Sequence, residues 1–371
     1  MRSKKTKFYS LDRILALNAH YNVIIGERSN GKTYAALKYG VEQYAKKGSQ
    51  IAIIRRWDFD FKGKNAPSLF NALVSNGEIA KATNGQWTDV CYKGRAWYLC
   101  RYEGNGTSKT RETDPIPLAY AFAITGMEHD KSTAYPDVRT IIFDEFLTRT
   151  TYVNDEFVLF MNVLSTIIRH RRDVKIFMLG NTVNKYCPYF SEMGLKHVKE
   201  QKAGTIDVYH YGESDLTVAV EFVAPNEEGK ESDVYFSFDN PRLNMITGKG
   251  DIWEISAYPH KPVKFLPKDI VFTYFIIFDG EVLQCEIVSV DNMLFTFIHR
   301  KTTELKHPDE DLIYSPDYDP RPNWRRRLTV PTTPIEKKIA AFYRTDKVFY
   351  QDNDVGDLVK NYLIWSSTST D

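Results

Sequence analysis

Residues 26–33 read Gly-Glu-Arg-Ser-Asn-Gly-Lys-Thr, the G-x-x-x-x-G-K-[ST] spacing of a Walker A phosphate loop. The flanks suit it. His20-Tyr-Asn-Val-Ile-Ile25 offers a strand before the loop, and Tyr34, Leu37, Lys38, Val41, Tyr44 and Ala45 recur at helical spacing up to Gly48. Gly26 and Gly31 let backbone N–H groups turn inward around phosphate oxygens, and the helix N-terminus adds partial positive charge. Lys32 is expected to reach the β- and γ-phosphates of a nucleotide, and the Thr33 hydroxyl to ligate magnesium. The expected nucleotide-contacting run is Gly26, Glu27, Arg28, Ser29, Asn30, Gly31, Lys32, Thr33 and Tyr34.

A second carboxylate motif says what is done with the phosphate. Thr140-Ile-Ile-Phe143 is an apolar strand that ends in Asp144-Glu145, the Walker B pattern. Asp144 is placed to orient magnesium through water, and Glu145 to polarise the water that attacks the γ-phosphate. Two acids solvating a strand end is the bland alternative. A GTPase would show Asp-x-x-Gly here, and Asp144-Glu-Phe-Leu147 lacks the glycine. Cys187 in Asn184-Lys-Tyr-Cys187 stands where a guanine-reading Asp belongs, so ATP is favoured over GTP. Farther on, Asn181 follows the apolar run Val174–Leu179, and it can sense the γ-phosphate or hold the lytic water. It can equally be a turn-forming Asn.

These residues need a sheet to hold them. Gln50–Ile54 reads as a strand leading to Arg55 and Arg56. Trp87–Tyr92 and Arg95–Cys100 read as a hairpin joined at Lys93-Gly94, and Pro117–Ile124 as a further strand. Strands inserted between the two motifs fit the P-loop branch with an additional strand and a catalytic glutamate. Asn154 can cap a helix with Asp155 and Glu156 in its first turn, and Phe157, Phe160, Met161, Leu164, Ile167 and Ile168 make its stripe. The arginines that close it, Arg169, Arg171 and Arg172, either complement the helix dipole or reach a neighbouring subunit's nucleotide as a finger.

Composition sets outer bounds. A chain of 371 residues exceeds one hydrophobic core, and 43% hydrophobic with 26% charged residues is ordinary for a globular protein. No uncharged apolar run reaches membrane-spanning length, and the basic start has no apolar stretch behind it, so neither membrane nor secretory signal is expected. Four cysteines without a C-x-x-C pair fit a reducing compartment. Residues 1–225 hold 31 Lys and Arg against 24 Asp and Glu, while 226–371 hold 18 against 24. Two surfaces with different partners would give that split, as would uneven solvation.

The ordered set Gly26-x-Arg28-x-x-Gly31-Lys32-Thr33, Ile53-Ile-Arg55-Arg56, Lys131-Ser-Thr-Ala-Tyr135-Pro136, Ile141-Ile-Phe-Asp144-Glu145-Phe146, Arg169-His-Arg171 and Gly180-Asn181 resembles the DNA-packaging (encapsidation) ATPases of picovirus-type, Salasvirus-like podophages. The resemblance covers about residues 10–190. It implies ATP and Mg2+ as cofactors and a homomeric, pentameric ring on the portal (connector) protein of the procapsid in the host cytoplasm. That ring would pull double-stranded DNA inward. Some relatives use a packaging RNA. The resemblance also implies Arg169 as a trans-acting finger and Lys131 near the shared nucleotide. A basic DNA contact after the paired arginines is implied too. Asp58 occupies the matching stretch here, leaving Arg56, Lys62 and Lys64 as candidates. A helicase or other nucleic-acid-remodelling ATPase is the alternative.

The expected architecture is α/β: a P-loop domain with a mainly parallel sheet over 1–225, closed by a strand at Thr217–Val223. A polar linker over 226–258 follows, and then a C-terminal domain over 259–371. Ile270–Phe278, Asp279-Gly280 and Glu281–Ser289 make a hairpin in the last. The resemblance implies a ribonuclease-H-like, vestigial nuclease fold there. Asp279 falls in a turn and Asp309-Glu-Asp311 in a loop, so no catalytic acids and no nuclease activity are expected. Arg321 and Trp324-Arg-Arg-Arg327 make a basic run that is either a portal, RNA or DNA patch or a solvated loop. The tail 366–371 is expected to fray.

Overall fold

The computed structural model describes residues 9–28, 30–103, 110–129, 133–148, 152–153, 155–181, 185–224 and 257–368. They fall into two compact units: 9–148 with 155–224, and 152–153 with 257–368. The expected linker at 226–258 lies almost wholly outside the described residues.

Among the described residues the first unit holds ten strands, the central ones short apolar runs buried on both faces and the outer ones more exposed, Thr110–Thr113 along its whole length. They are β1 (Tyr21–Gly26), β2 (Gln50–Arg55), β3 (Asp89–Lys93), β4 (Ala96–Glu103), β5 (Thr110–Thr113), β6 (Ala119–Ala123), β7 (Val138–Asp144), β8 (Lys175–Asn181), β9 (Ile206–His210) and β10 (Thr217–Phe222). They form one sheet in the order β3-β4-β6-β2-β7-β8-β1-β10-β9, with β5 on β4. The six strands from β6 to β10 in that order run parallel, and the antiparallel strands lie at the two ends. Val23–Ile25, Ile51–Ile54 and Ile141–Phe143 are buried without alternation, as a sheet covered on both sides requires. Helix α1 (Lys32–Lys47) leaves β1 and ends at Gly48, whose φ of 68° gives the left-handed cap. Helix α2 (Glu156–Ile168) joins β7 to β8 and buries Phe160, Val163, Leu164 and Ile167.

The strand standing between β1 and β7 is β8, which follows both in sequence. The strands lying between the two motifs in sequence extend the sheet beyond β7 instead. A second correction concerns the hairpin: Lys93 pairs with Ala96, so the turn is Gly94-Arg95, both at positive φ as a type I′ turn needs.

The second unit holds β11 (Ile270–Phe278), β12 (Glu281–Val290), β13 (Met293–Arg300), β14 (Ile313–Tyr314), β15 (Trp324–Arg325) and β16 (Val348–Tyr350). Their order is β15-β14-β11-β12-β13-β16. The expected Asp279-Gly280 turn joins β11 to β12, and Asp291-Asn292, also at positive φ, joins β12 to β13. Helices α3 (Pro334–Arg344) and α4 (Asn353–Thr368) complete the unit. Ser366 does not fray. It is fully buried on α4, next to the Thr329 hydroxyl that donates to its carbonyl at 2.8 Å. The basic run is largely matched within the unit. Arg321 pairs with Asp309 at 2.8 Å and Asp319 at 2.7 Å, Arg325 pairs with Glu336 at 2.9 Å, and Arg326 donates to the Pro316 carbonyl.

Candidate nucleotide site

Parallel strands bring their C-terminal ends to one edge of a sheet, where α/β folds bind ligands. Register does the rest. Gly26 of β1 pairs with Asn181 of β8, and Leu179 of β8 with Asp144 of β7. Ile54 of β2 pairs with Phe143, which places Arg55 beside Asp144. Residues up to 153 positions apart thus line one cavity of about 410 Å³, bounded by Arg28, Asn30, Gly31, Lys32, Thr33, Tyr34, Asp144, Glu145, Leu179, Gly180 and Asn181.

At the loop, Gly31 takes a φ of 92°, a conformation that a side chain would strain, and α1 begins at the next residue. The buried Lys32 ammonium donates to the carbonyls of Gly26 (3.1 Å) and Glu27 (2.7 Å) and to the side-chain oxygens of Asn30 (3.1 Å) and Asn181 (3.2 Å). Burial pulls its pKa down to about 8, against the pull of Asp144 and Glu27. The Thr33 hydroxyl donates to Asp144 Oδ1 at 3.0 Å. This donor set suits a triphosphate with a magnesium ion: a cation and a helix N-terminus for phosphate oxygens, and two hard oxygens for the metal. Glu27 contributes its carbonyl, its side chain being exposed.

Glu145 follows Asp144 directly, yet its own φ of 62° turns the chain so that both acids face the cavity. The Phe146 N–H donates to the Leu179 carbonyl at 3.2 Å. Gly180 makes the close approach possible, because a Cβ there would lie 2.7 Å from Leu147 Cδ1 and 2.8 Å from Phe146 Cε1. Arg55 spans the acids, 2.6 Å from Asp144 Oδ2 and 2.9 Å from Glu145 Oε2. Sequence reasoning did not assign Arg55 to the site. The signal was available, since alternation at a strand end sends Arg55 and Arg56 opposite ways.

Arg56 is the correction that follows. It is not a DNA contact, being buried against Glu156 at 2.7 Å and bonded to the Phe146 carbonyl. Lys62 and Lys64 are exposed, and Lys62 pairs with Asp58 at 2.8 Å. Arg169 stands at the C-terminus of α2 and donates to the Thr133 carbonyl at 3.1 Å. Arg171 beside it donates to the carbonyls of Tyr135, Pro136, Val138, Ile167 and Ile168. Val138 opens β7 and Asp144 closes it, so Arg171, bonded at Val138, lies roughly 20 Å from its own chain's acids, a strand length away, and Arg169 is not among the residues that line the cavity. Ser29, Lys131, Asn154, Thr182 and Asn184 lie outside the described residues.

Residues 3–227 match the family model described as podovirus DNA encapsidation protein (Gp16). The DNA packaging proteins of Bacillus phages PZA and phi29 are each 30% identical to this chain over 189 residues, 50% of this chain and 50% of theirs. The chain thus spans about half the length of the curated relatives it matches. Among solved structures, the Phi-28 gp11 DNA packaging motor aligns over 99% of both chains with a TM-score of 0.54 at 16% identity, a likeness of fold.

Proposed function

The chain belongs to the podovirus DNA encapsidation protein (Gp16) family, and from that premise we propose that it is an ATP-driven motor that moves double-stranded phage DNA through a portal into a procapsid. The observation that carries the proposal is the convergence of Lys32, Thr33, Asp144, Glu145 and Asn181 on one cavity. The strand order, with β8 between β1 and β7, supports the additional-strand, catalytic-glutamate branch of P-loop proteins.

ATP is the substrate. The loop N–H groups and Lys32 hold the β- and γ-phosphates, and Lys32 offsets the charge that builds on the leaving oxygen. Magnesium, when bound, polarises the phosphoryl group, and Thr33 and Asp144 would hold it. Asn181, fixed by its bond to Lys32, is placed to orient the attacking water. Glu145 accepts that water's proton as the oxygen bonds to the γ-phosphorus and the bond to the β–γ bridging oxygen breaks, leaving ADP and phosphate. Arg169 is held at the Thr133 carbonyl and does not line its own chain's cavity, which supports a role on an adjacent chain's nucleotide in a pentameric ring. Lys131 would act at the same shared site.

The division into an ATPase domain over 1–225, a linker over 226–258 and a nuclease-like domain over 259–371 belongs to the same proposal. An antiparallel β11-β12-β13 meander continued by parallel β14 and β15 supports the ribonuclease-H-like reading, and β11 carries no acid. Duplex DNA, the portal and a packaging RNA are the proposed partners, at the procapsid vertex in the host cytoplasm. No helix among the described residues is long and apolar enough to cross a membrane.

The test is a packaging mixture of procapsids, genome and this chain, scored by protection of DNA from nuclease. Protection should require hydrolysable ATP and vanish in Lys32→Ala. Full protection by Lys32→Ala, or strand separation in place of protection, would contradict the motor.

A further inference from the structure

Beneath the cavity, on the other face of the β2 terminus, lies a buried ion pair that the mechanism above does not use. Arg56 is 6% exposed and Glu156 2%. Arg56 Nε and Nη2 donate to the two carboxylate oxygens of Glu156 at 2.7 and 2.9 Å, a bidentate fork. The Tyr189 hydroxyl donates to the same carboxylate at 2.9 Å. The guanidinium also reaches backbone: Nη2 to the Phe146 carbonyl at 2.7 Å and Nη1 to the Glu145 carbonyl at 3.3 Å. One arginine therefore ties the first turn of α2 to the two peptide units that follow the proposed base.

That turn needs holding. A left-handed φ on a non-glycine residue is strained and persists only where its surroundings hold it, and Glu145 sits at 62°. From the side of β8, the Leu179 carbonyl takes the Phe146 N–H. From the side of β2, Arg56 takes the two carbonyls. A buried ion pair is weak evidence for stability, because well-packed apolar replacements are often neutral or better. What such replacements would not reproduce is the grip on the Glu145 and Phe146 carbonyls.

We infer that Arg56 and Glu156 are positioning residues for Glu145: the pair sets the backbone turn that presents this carboxylate to the nucleotide. The inference rests on the ATPase reading. The test replaces the cluster with apolar groups in the full chain, Arg56→Met with Glu156→Leu and Tyr189→Phe, which removes both charges of the pair together. Melting by circular dichroism checks folding, a fluorescent ATP analogue gives Kd, and phosphate release gives kcat.

The expected result is a folded variant with Kd within twofold of wild type and kcat lowered about 10- to 100-fold, the scale of a misplacement near 1 Å. A purely structural role predicts loss of stability with kcat intact in whatever remains folded. If the triple variant does not fold, Arg56→Lys, which keeps the charge but not the fork, should show the same split between kcat and Kd. Wild-type kcat in either folded variant overturns the inference. Wild-type protein without ATP turnover would overturn the parent reading, and this one with it.

Discussion

Each unit contains a buried glutamate in the first turn of a helix, gripped by an arginine. Glu156 opens α2 and pairs with Arg56, while Glu336 lies in the first turn of α3 and pairs with Arg325. The glutamates are equally hidden, at 2% exposure each. Their arginines differ in what else they touch. Arg56 bonds to the carbonyls beside the proposed catalytic acid, whereas Arg325 bonds to those of Trp324 in its own strand β15 and of Pro322 just before it. Glu336 is itself a helix-capping group, accepting from Thr332 N–H at 2.7 Å and Thr333 N–H at 3.3 Å. Burial and pairing alone therefore do not mark a site. The arginine's remaining hydrogen bonds do.

The widest separation between the two pairs should appear in turnover. Apolar replacement of the Arg56 cluster should lower kcat about 10- to 100-fold. The matching Arg325→Met, Glu336→Leu variant should stay within twofold of wild type, phosphate release being the measurement for both. Equal losses in both variants would erase the distinction. Stability should divide them next. Glu156→Ala strands Arg56 in a buried setting and should destabilise the first unit by about 3–5 kcal/mol. Glu336→Ala leaves Arg325 partly solvated and should destabilise by about 1–3 kcal/mol, as lost hydrogen bonds to a charged group would. Urea melts followed separately in each unit would measure both.

Titration gives smaller effects of opposite sign. Burial pushes the Glu336 carboxyl up, but its bonds to Thr332, Arg325 and Thr333 outweigh that and hold it at about 2, below its ordinary 4.5. Its contribution to stability is then complete above pH 4.5 and lost as pH falls towards 2. Lys32 behaves the other way. Its lowered pKa of about 8 means that nucleotide binding, which favours the charged ammonium, takes up a proton above that pH. Affinity should hold steady below pH 8 and fall by at most about tenfold per unit above it, as nucleotide Kd between pH 7 and 10 would show.

The phosphate loop and the paired acids were legible because their spacing is local, and a strand, a loop and a helix N-terminus in succession leave little room for another structure. The position of β8 between β1 and β7 was not, since neighbours in a parallel sheet are chosen by tertiary packing. The sequence places Glu156 in the first turn of its helix and does not show that it is buried. It lies four residues before Phe160 on the stripe that buries Val163, Leu164 and Ile167, and an acid on such a stripe calls for a buried partner. No spacing rule names Arg56, 100 residues earlier, as that partner. Ser366 departs from the expected fraying for a related reason. The polar composition of the tail hid its place on the α4 stripe after Val355, Val359 and Tyr362, all fully buried.

Glu145→Gln probes the central claim most directly, with ATP affinity and phosphate release measured on the same preparation. The account predicts affinity within a few-fold of wild type and release slowed at least about 100-fold, as expected for loss of a general base. Release at the wild-type rate would mean that the carboxylate beside Asp144 does not take the proton, and that the chemistry assigned to this cavity is wrong.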